Sequence, residues 1–175
     1  VGTGGVVATA ALAGALAAGA GGLSVPDPDD IWEDTGLRVV DRATRADGEC
    51  APHSFGQVQE LLKATPCAAL DRMLFTLTDD KGGTIVVFMA WIEFDDRAEA
   101  REFKRVEDIH GTGDITPLSG SLLQINDVPF TAHNYDSDVL DGVTVVIAET
   151  ETVTGGFTAG YLDDIASVAV LTPRP

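Results

Sequence analysis

The chain is short of positive charge, of cysteine and of histidine, and each shortage closes off a kind of chemistry. Only 11 lysines and arginines stand against 28 acids, a formal net charge of −17 in 175 residues. A phosphate-backbone binder needs a basic footprint, and docking on anionic lipid needs basic residues at the surface. Nucleic acid is therefore excluded as a partner. The two cysteines, Cys50 and Cys67, are neither a C-x-x-C pair nor half of a recognisable four-ligand zinc pattern. The three histidines, His53, His110 and His133, fall in separate segments, and no H-E-x-x-H brings two onto one helix face. There is no G-x-S-x-G elbow and no phosphate-binding G-x-x-x-x-G-K loop. These absences weigh against an enzyme, and no cofactor is expected.

What is present is a globular composition, 45 % apolar and 22 % charged, of a length that suits one domain. The most unusual stretch is the uncharged run GGVVATAALAGALAAGAGGL, from Gly4 to Leu23. It is long enough to span a bilayer as a helix, although alanine and glycine are weakly lipophilic. Ala18-Gly19-Ala20 has the small-x-small form of a cleavage site. A membrane anchor, a signal-peptide core and a buried or disordered Ala-rich segment compete for this run. Under the first two, the remaining chain lies outside the cytoplasm, either on the membrane or secreted. Residues 1–23 are thus expected as anchor or signal core, with residues 24–49 as a Pro/Asp-rich linker opening on SVPDPDD. Residues 50–172 are then the extracytoplasmic domain.

Within that domain, Ser54 and Gln57 have the form of a capping box ahead of a helix over residues 55–64, with Phe55, Val58, Leu61 and Leu62 on its apolar face. Residues 70–78 and 84–94 predict an antiparallel hairpin around Asp79–Gly83. The second strand is apolar on both faces and so belongs at the centre of a sheet. Asp96 and Glu99 open a second helix that buries Phe103, Val106 and Ile109. Short strands are expected at residues 115–118, 122–125, 130–135 and 143–153, and a last helix within residues 157–171. The order predicts an α+β two-layer sandwich: a mostly antiparallel sheet packed by two or three helices, preceded by the N-terminal apolar helix.

Few residues suggest chemistry. In an extracytoplasmic domain Cys50 and Cys67 most simply form a disulfide, with a catalytic thiol or free buried cysteines as alternatives. The loop His110-Gly111-Thr112-Gly113-Asp114 follows a helix instead of leading into one, and its acids would repel phosphate, so it reads as a helix stop. Asp136, Asp138 and Asp141 echo the start of a Ca²⁺ loop, but the third acid and Gly142 are displaced and no closing glutamate follows; an acidic hairpin loop is the simpler reading. These three aspartates, with His110, are the candidate ligand residues. Glu149 and Glu151 share one strand face, an arrangement open to a glycosidase or to a solvated face.

The pattern of Cys50, Phe55, Val58, Leu61-Leu62, then Cys67-Ala68-Ala69-Leu70-Asp71-Arg72, Gly82, Trp91-Ile92-Glu93-Phe94-Asp95-Asp96, and Asp108-Ile109-His110-Gly111-Thr112-Gly113-Asp114 resembles a group of actinobacterial proteins. These are single-pass or secreted, with a small extracytoplasmic domain and no assigned activity. The resemblance implies a localisation and carries over no site residue. The expected function is a non-catalytic one: a sensor, a binding module or an envelope accessory. It would be tied to the membrane through the N-terminal run if that run is uncleaved, and would have a protein partner in the envelope. The alternative is an extracytoplasmic hydrolase using Asp, Glu or His in loops at the end of the sheet.

Overall fold

The computed structural model describes residues 27–175. The apolar run of residues 4–23, and the helix expected of it, lie outside the described residues. Among the described residues no helix is long and apolar enough to cross a membrane.

Five antiparallel strands form one sheet: β1 (Arg38–Asp47), β2 (Ala69–Thr78), β3 (Thr84–Glu93), β4 (Tyr135–Leu140) and β5 (Thr144–Thr154), in spatial order β1-β2-β3-β5-β4. Three helices pack on it: α1 (Gly56–Ala64), α2 (Arg97–Glu107) and α3 (Ala159–Ala169). The α+β class and the helix-packed antiparallel sheet are as the patterning predicts. The helices divide between the two faces of the sheet, and β3 shows why. Its eight central residues, Ile85 to Ile92, are all buried. Val86, Phe88, Ala90 and Ile92 pack with Val58 and Leu62 of α1 and Ala100 and Phe103 of α2. Ile85, Val87, Met89 and Trp91 pack instead with Leu162, Ile165 and Ala169 of α3. A strand apolar on both sides needs cover on both sides.

The segment expected as a linker is largely part of this fold, which moves the domain's start upstream of residue 50. Asp30–Thr35 form a 3-10 turn whose Trp32 is 1 % exposed and packs 5.6 Å from the Phe75 ring. The arginine-rich end of that segment is β1, a sheet edge paired with β2. Pattern alone reads a short strand only over residues 37–40, and the charges that follow hide the rest. An edge strand with one solvated face tolerates them, and charge on an edge discourages pairing with other chains.

Between α2 and β4 the expected short strands do not form. Pro117 and Pro129 lack the N–H groups a ladder needs. Ile115 makes a single bridge to Ser54, and Gly120–Leu123 form a 3-10 turn. The acidic segment expected as a hairpin loop is mostly β4 itself, with the turn confined to residues 141–143.

The helix starts divide in the same way. Asp96 caps α2 as predicted, its Oδ1 accepting from the N–H groups of Ala98 (2.7 Å) and Glu99 (3.0 Å). Ser54 does not cap α1: Phe55 holds the N-cap position, extended, with no side-chain cap. That geometry leaves Phe55 half exposed and off the apolar face where helical spacing had put it.

Candidate binding cleft

The Gly-rich loop after α2 supplies the cap that α1 lacks. Thr112 turns its hydroxyl back to donate to the carbonyls of Val106 and Ile109, both at 2.8 Å, which closes α2. Its carbonyl oxygen then accepts from the first free N–H groups of α1, those of Gln57 and Val58. The Phe55 N–H donates to the Asp114 carbonyl at 3.0 Å. Backbone meets backbone here with no room for side chains. A Cβ on Gly56 would lie 2.5 Å from the Thr112 oxygen, and one on Gly113 would overlap the Phe55 carbonyl. Both glycines also have positive φ, 66° and 111°.

This docking opens a cleft of about 590 Å³ between the loop, the start of α1, the 117–132 connection and β5. Its walls are mainly apolar, from Phe55, Ile115, Leu118, Val128 and Phe130, with His110, Asp114, Asp127 and Glu149 as the ionisable groups facing it; Asp127 accepts from the Gly120 N–H at 2.7 Å. The Phe130 ring is seated on Phe88 of the sheet at 5.9 Å. The volume lies within the range of ordinary small-molecule pockets.

Behind Asp114 lies a third carboxyl. Glu107 occupies the position one helical turn beyond Phe103, on the buried stripe of α2. It is 6 % exposed, and neither of its enclosed carboxyl oxygens receives a donor from outside the acid cluster. Asp114 touches it on one side and Glu149 on the other. The protein offers this trio two backbone donors: Ile115 N–H to Asp114 Oδ1 at 2.6 Å, and Ala132 N–H to Glu149 Oε2 at 2.8 Å. Ala132 reaches Glu149 from a left-handed backbone, φ 54°. Among the described residues no lysine or arginine pairs with any of the three. Lys104, nearby on α2, is engaged with Asp108 and Ser137.

Carboxyls so placed hold their protons. Burial pushes Glu149 up to about 9, helped by the charge of Asp114 and the hydrogen bond with it. Burial and the adjacent Glu107 raise Asp114 to about 9. Glu107 is raised to about 7 by burial, offset in part by its hydrogen bond with Asp114. Two unpartnered oxygens on Glu107 are tolerable only if the acids supply each other's protons. Tyr135, beside them, is pushed upward by burial and by the charge of Glu107.

The residues singled out from sequence scatter. His110 faces the cleft, and its ring meets His133 edge-on, 5.1 Å between centroids. His53 is elsewhere, accepting at Nδ1 from buried Arg72 (3.2 Å) and facing Asp47 through Nε2 (3.2 Å). Asp136 and Asp138 lie on β4, each accepting from the next residue's N–H at 2.7 Å. Asp141 sits in the following turn and accepts from the N–H groups of Val143 and Thr144. Their carboxylates thus serve the local backbone. Among the described residues no group of three or more His, Cys, Asp or Glu is placed to hold a metal ion. Of the acid pair on β5, Glu149 turns into the cleft floor and Glu151 accepts from the Thr131 hydroxyl at 2.7 Å. Cys50 and Cys67 are joined in a disulfide.

Glu107 and Asp114 were not among the candidates. Glu107 carried a readable sign, an acid on the same helical stripe as Ala100 and Phe103. Asp114 carried none, since its burial depends on where the loop docks.

Comparisons of the chain with protein-family models, with curated proteins and with solved structures return no match.

Proposed function

We propose that the protein is an extracytoplasmic binding domain, membrane-anchored or secreted, that takes a ligand into the cleft between the Gly-rich loop and the 117–132 connection. The observation that carries this reading is the cleft itself: apolar walls converging on a floor of buried carboxyl groups, the usual composition of a ligand pocket. The location outside the cytoplasm draws on the uncharged N-terminal run and on the Cys50–Cys67 disulfide, a bond that persists in oxidising compartments.

The second reading, a hydrolase, draws on His110, Asp114 and Glu149 sharing one cleft. Its chemistry is the weaker fit. Glycoside hydrolysis sets one protonated and one ionised carboxyl roughly 5–10 Å apart. Asp114 and Glu149 are in hydrogen-bonding contact, and both are held toward the protonated form.

Ligand-observed NMR with a fragment library tests the proposal on the wild type and on Val128→Trp, which fills the cleft. Hits that disappear in the variant are expected. Hits indifferent to Val128→Trp, or none at all, would count against a binding cleft. Turnover of chromogenic glycosides or esters, lost in Glu149→Gln, would favour the hydrolase. Protease treatment of intact host cells tests the address: a protein outside the cytoplasm is digested, one inside is spared.

A further inference from the structure

The floor of the cleft is short of hydrogen-bond donors and of positive charge. Six carboxyl oxygens from Glu107, Asp114 and Glu149 receive two backbone N–H groups, and both oxygens of Glu107, with the side chain almost wholly enclosed, receive none. The free protein meets the shortage by keeping protons on the acids. A ligand that brought donors and positive charge could replace those protons. Charge-assisted hydrogen bonds to a carboxylate are about twice as strong as neutral ones. The field of the whole molecule points the same way, since a net charge of −17 draws cations toward a cleft and repels anions. The walls demand something more than a metal or a simple ammonium ion. Phe55 is half exposed at the mouth, and Val128 and Phe130 are partly buried beside it, so apolar surface waits to be covered.

We infer that the cleft receives an organic cation, an ammonium or guanidinium head on an apolar body, with the head on Asp114 and Glu149 and the body against Phe55, Val128 and Phe130. The inference rests on the binding function proposed above and names the ligand class. Glu107 acts through Asp114 and does not itself line the cleft. The other ionisable groups around the trio and the cleft are Lys104 on α2, Asp108 at its C-cap, Tyr135 on β4, Glu151 on β5, and His110, Asp127 and His133 on the loops. Of these, Lys104 carries a fixed positive charge, and Asp108 is its partner.

Isothermal titration of the folded protein near neutral pH, with phenylbutylamine, phenylbutanol and phenylbutyrate as probes, decides the matter. The three share an apolar body and differ in the head. The amine is expected to bind at least about tenfold more tightly than the alcohol, the gain of one charge-assisted contact, and the carboxylate least of all. Amine binding should release protons, seen as a heat that changes with the ionisation enthalpy of the buffer. Glu149→Gln and Asp114→Asn, each checked for native circular dichroism, should bring the amine down to the alcohol's affinity. Equal affinity for amine and alcohol would overturn the cation while leaving a binding cleft in place. A preference that survives both substitutions, or amine binding without proton release, would overturn it too. If none of the probes binds, the cation assignment fails, and the fragment screen with Val128→Trp settles separately whether the cleft binds anything.

Discussion

Burial separates the protonation of Asp114 and Glu149 from that of the same residues in the unfolded chain. Unfolded, they titrate near their ordinary values of 3.8 and 4.5; folded, both are raised to about 9. A carboxyl whose folded pKa is raised leaves stability intact below the unfolded value. That stability is lost as pH climbs toward the folded value, at up to about 1.4 kcal/mol per pH unit for each group. The denaturation midpoint is therefore expected to fall between pH 5 and pH 9, the reverse of a protein held by ionised, paired carboxylates. General acid repulsion would give a slope of the same sign, so the informative quantity is the difference from Asp114→Asn. That variant should show a distinctly flatter dependence, and an unchanged slope would mean that the cluster does not govern it. A second residue-scale prediction concerns the loop. Gly113→Ala should cost about 2–3 kcal/mol, since it combines a strained φ with a backbone overlap. Gly111 also has positive φ, 89°, but open space where its Cβ would be. Gly111→Ala should therefore cost less, as urea melts of the two variants would show.

At the level of elements, several features follow from local sequence, and those that depend on a distant partner do not. The β2–β3 hairpin, the Asp96 cap and the C-terminal helix each have their cause within a dozen residues. The Ser54 capping box has the right letters, yet α1 is capped by Thr112, more than fifty positions away, and Ser54 instead donates to the Ala51 carbonyl. Most of β1, beyond the short strand legible over residues 37–40, is hidden because edge strands carry charge. The cleft was hidden because its acids come from α2, the loop after it and β5, which meet only when the sheet forms. The disulfide lay between these cases, since two cysteines in a chain offer one internal pairing. It closes a loop of 17 residues, which in the chain-entropy model stabilises by about 3 kcal/mol. It also pins the 3-10 turn Ala51–His53 and α1 against the sheet: Cys50 belongs to the core under α1, and Cys67 packs against that core. Replacing both cysteines with alanine should lower the unfolding free energy by roughly that amount. A loss under about 1 kcal/mol would mean that the surrounding packing alone holds the two ends together.

For the molecule as a whole, the balance of charge is a stability question as well as a solubility one. Among the described residues some ion pairs have both partners well exposed, namely Arg38–Asp80, Lys63–Glu60 and Arg105–Glu102. Pairs of this kind contribute little, because solvent screens them and holding two long side chains in place costs entropy. Against them stands a large excess of acid spread over a small body, and self-repulsion of that kind opposes the compact state. Salt screens both, shortening the Debye length from roughly 10 Å at 0.1 M to 3 Å at 1 M. Short contacts in ion pairs survive screening better than repulsion across the surface does. Thermal melting in rising sodium chloride should therefore raise Tm. Sodium chloride matters here as the probe because, unlike sulfate, it acts mainly through screening and little through exclusion from the protein surface. The largely buried Arg72–Asp47 pair, which joins β1 to β2 at 2.9 Å, should be much less sensitive to the same salt. Arg72→Met would thus lower Tm by a similar amount at low and high salt, while the wild type and the variant both rise with screening. A Tm that falls as salt is added would show instead that attraction between surface charges outweighs their repulsion.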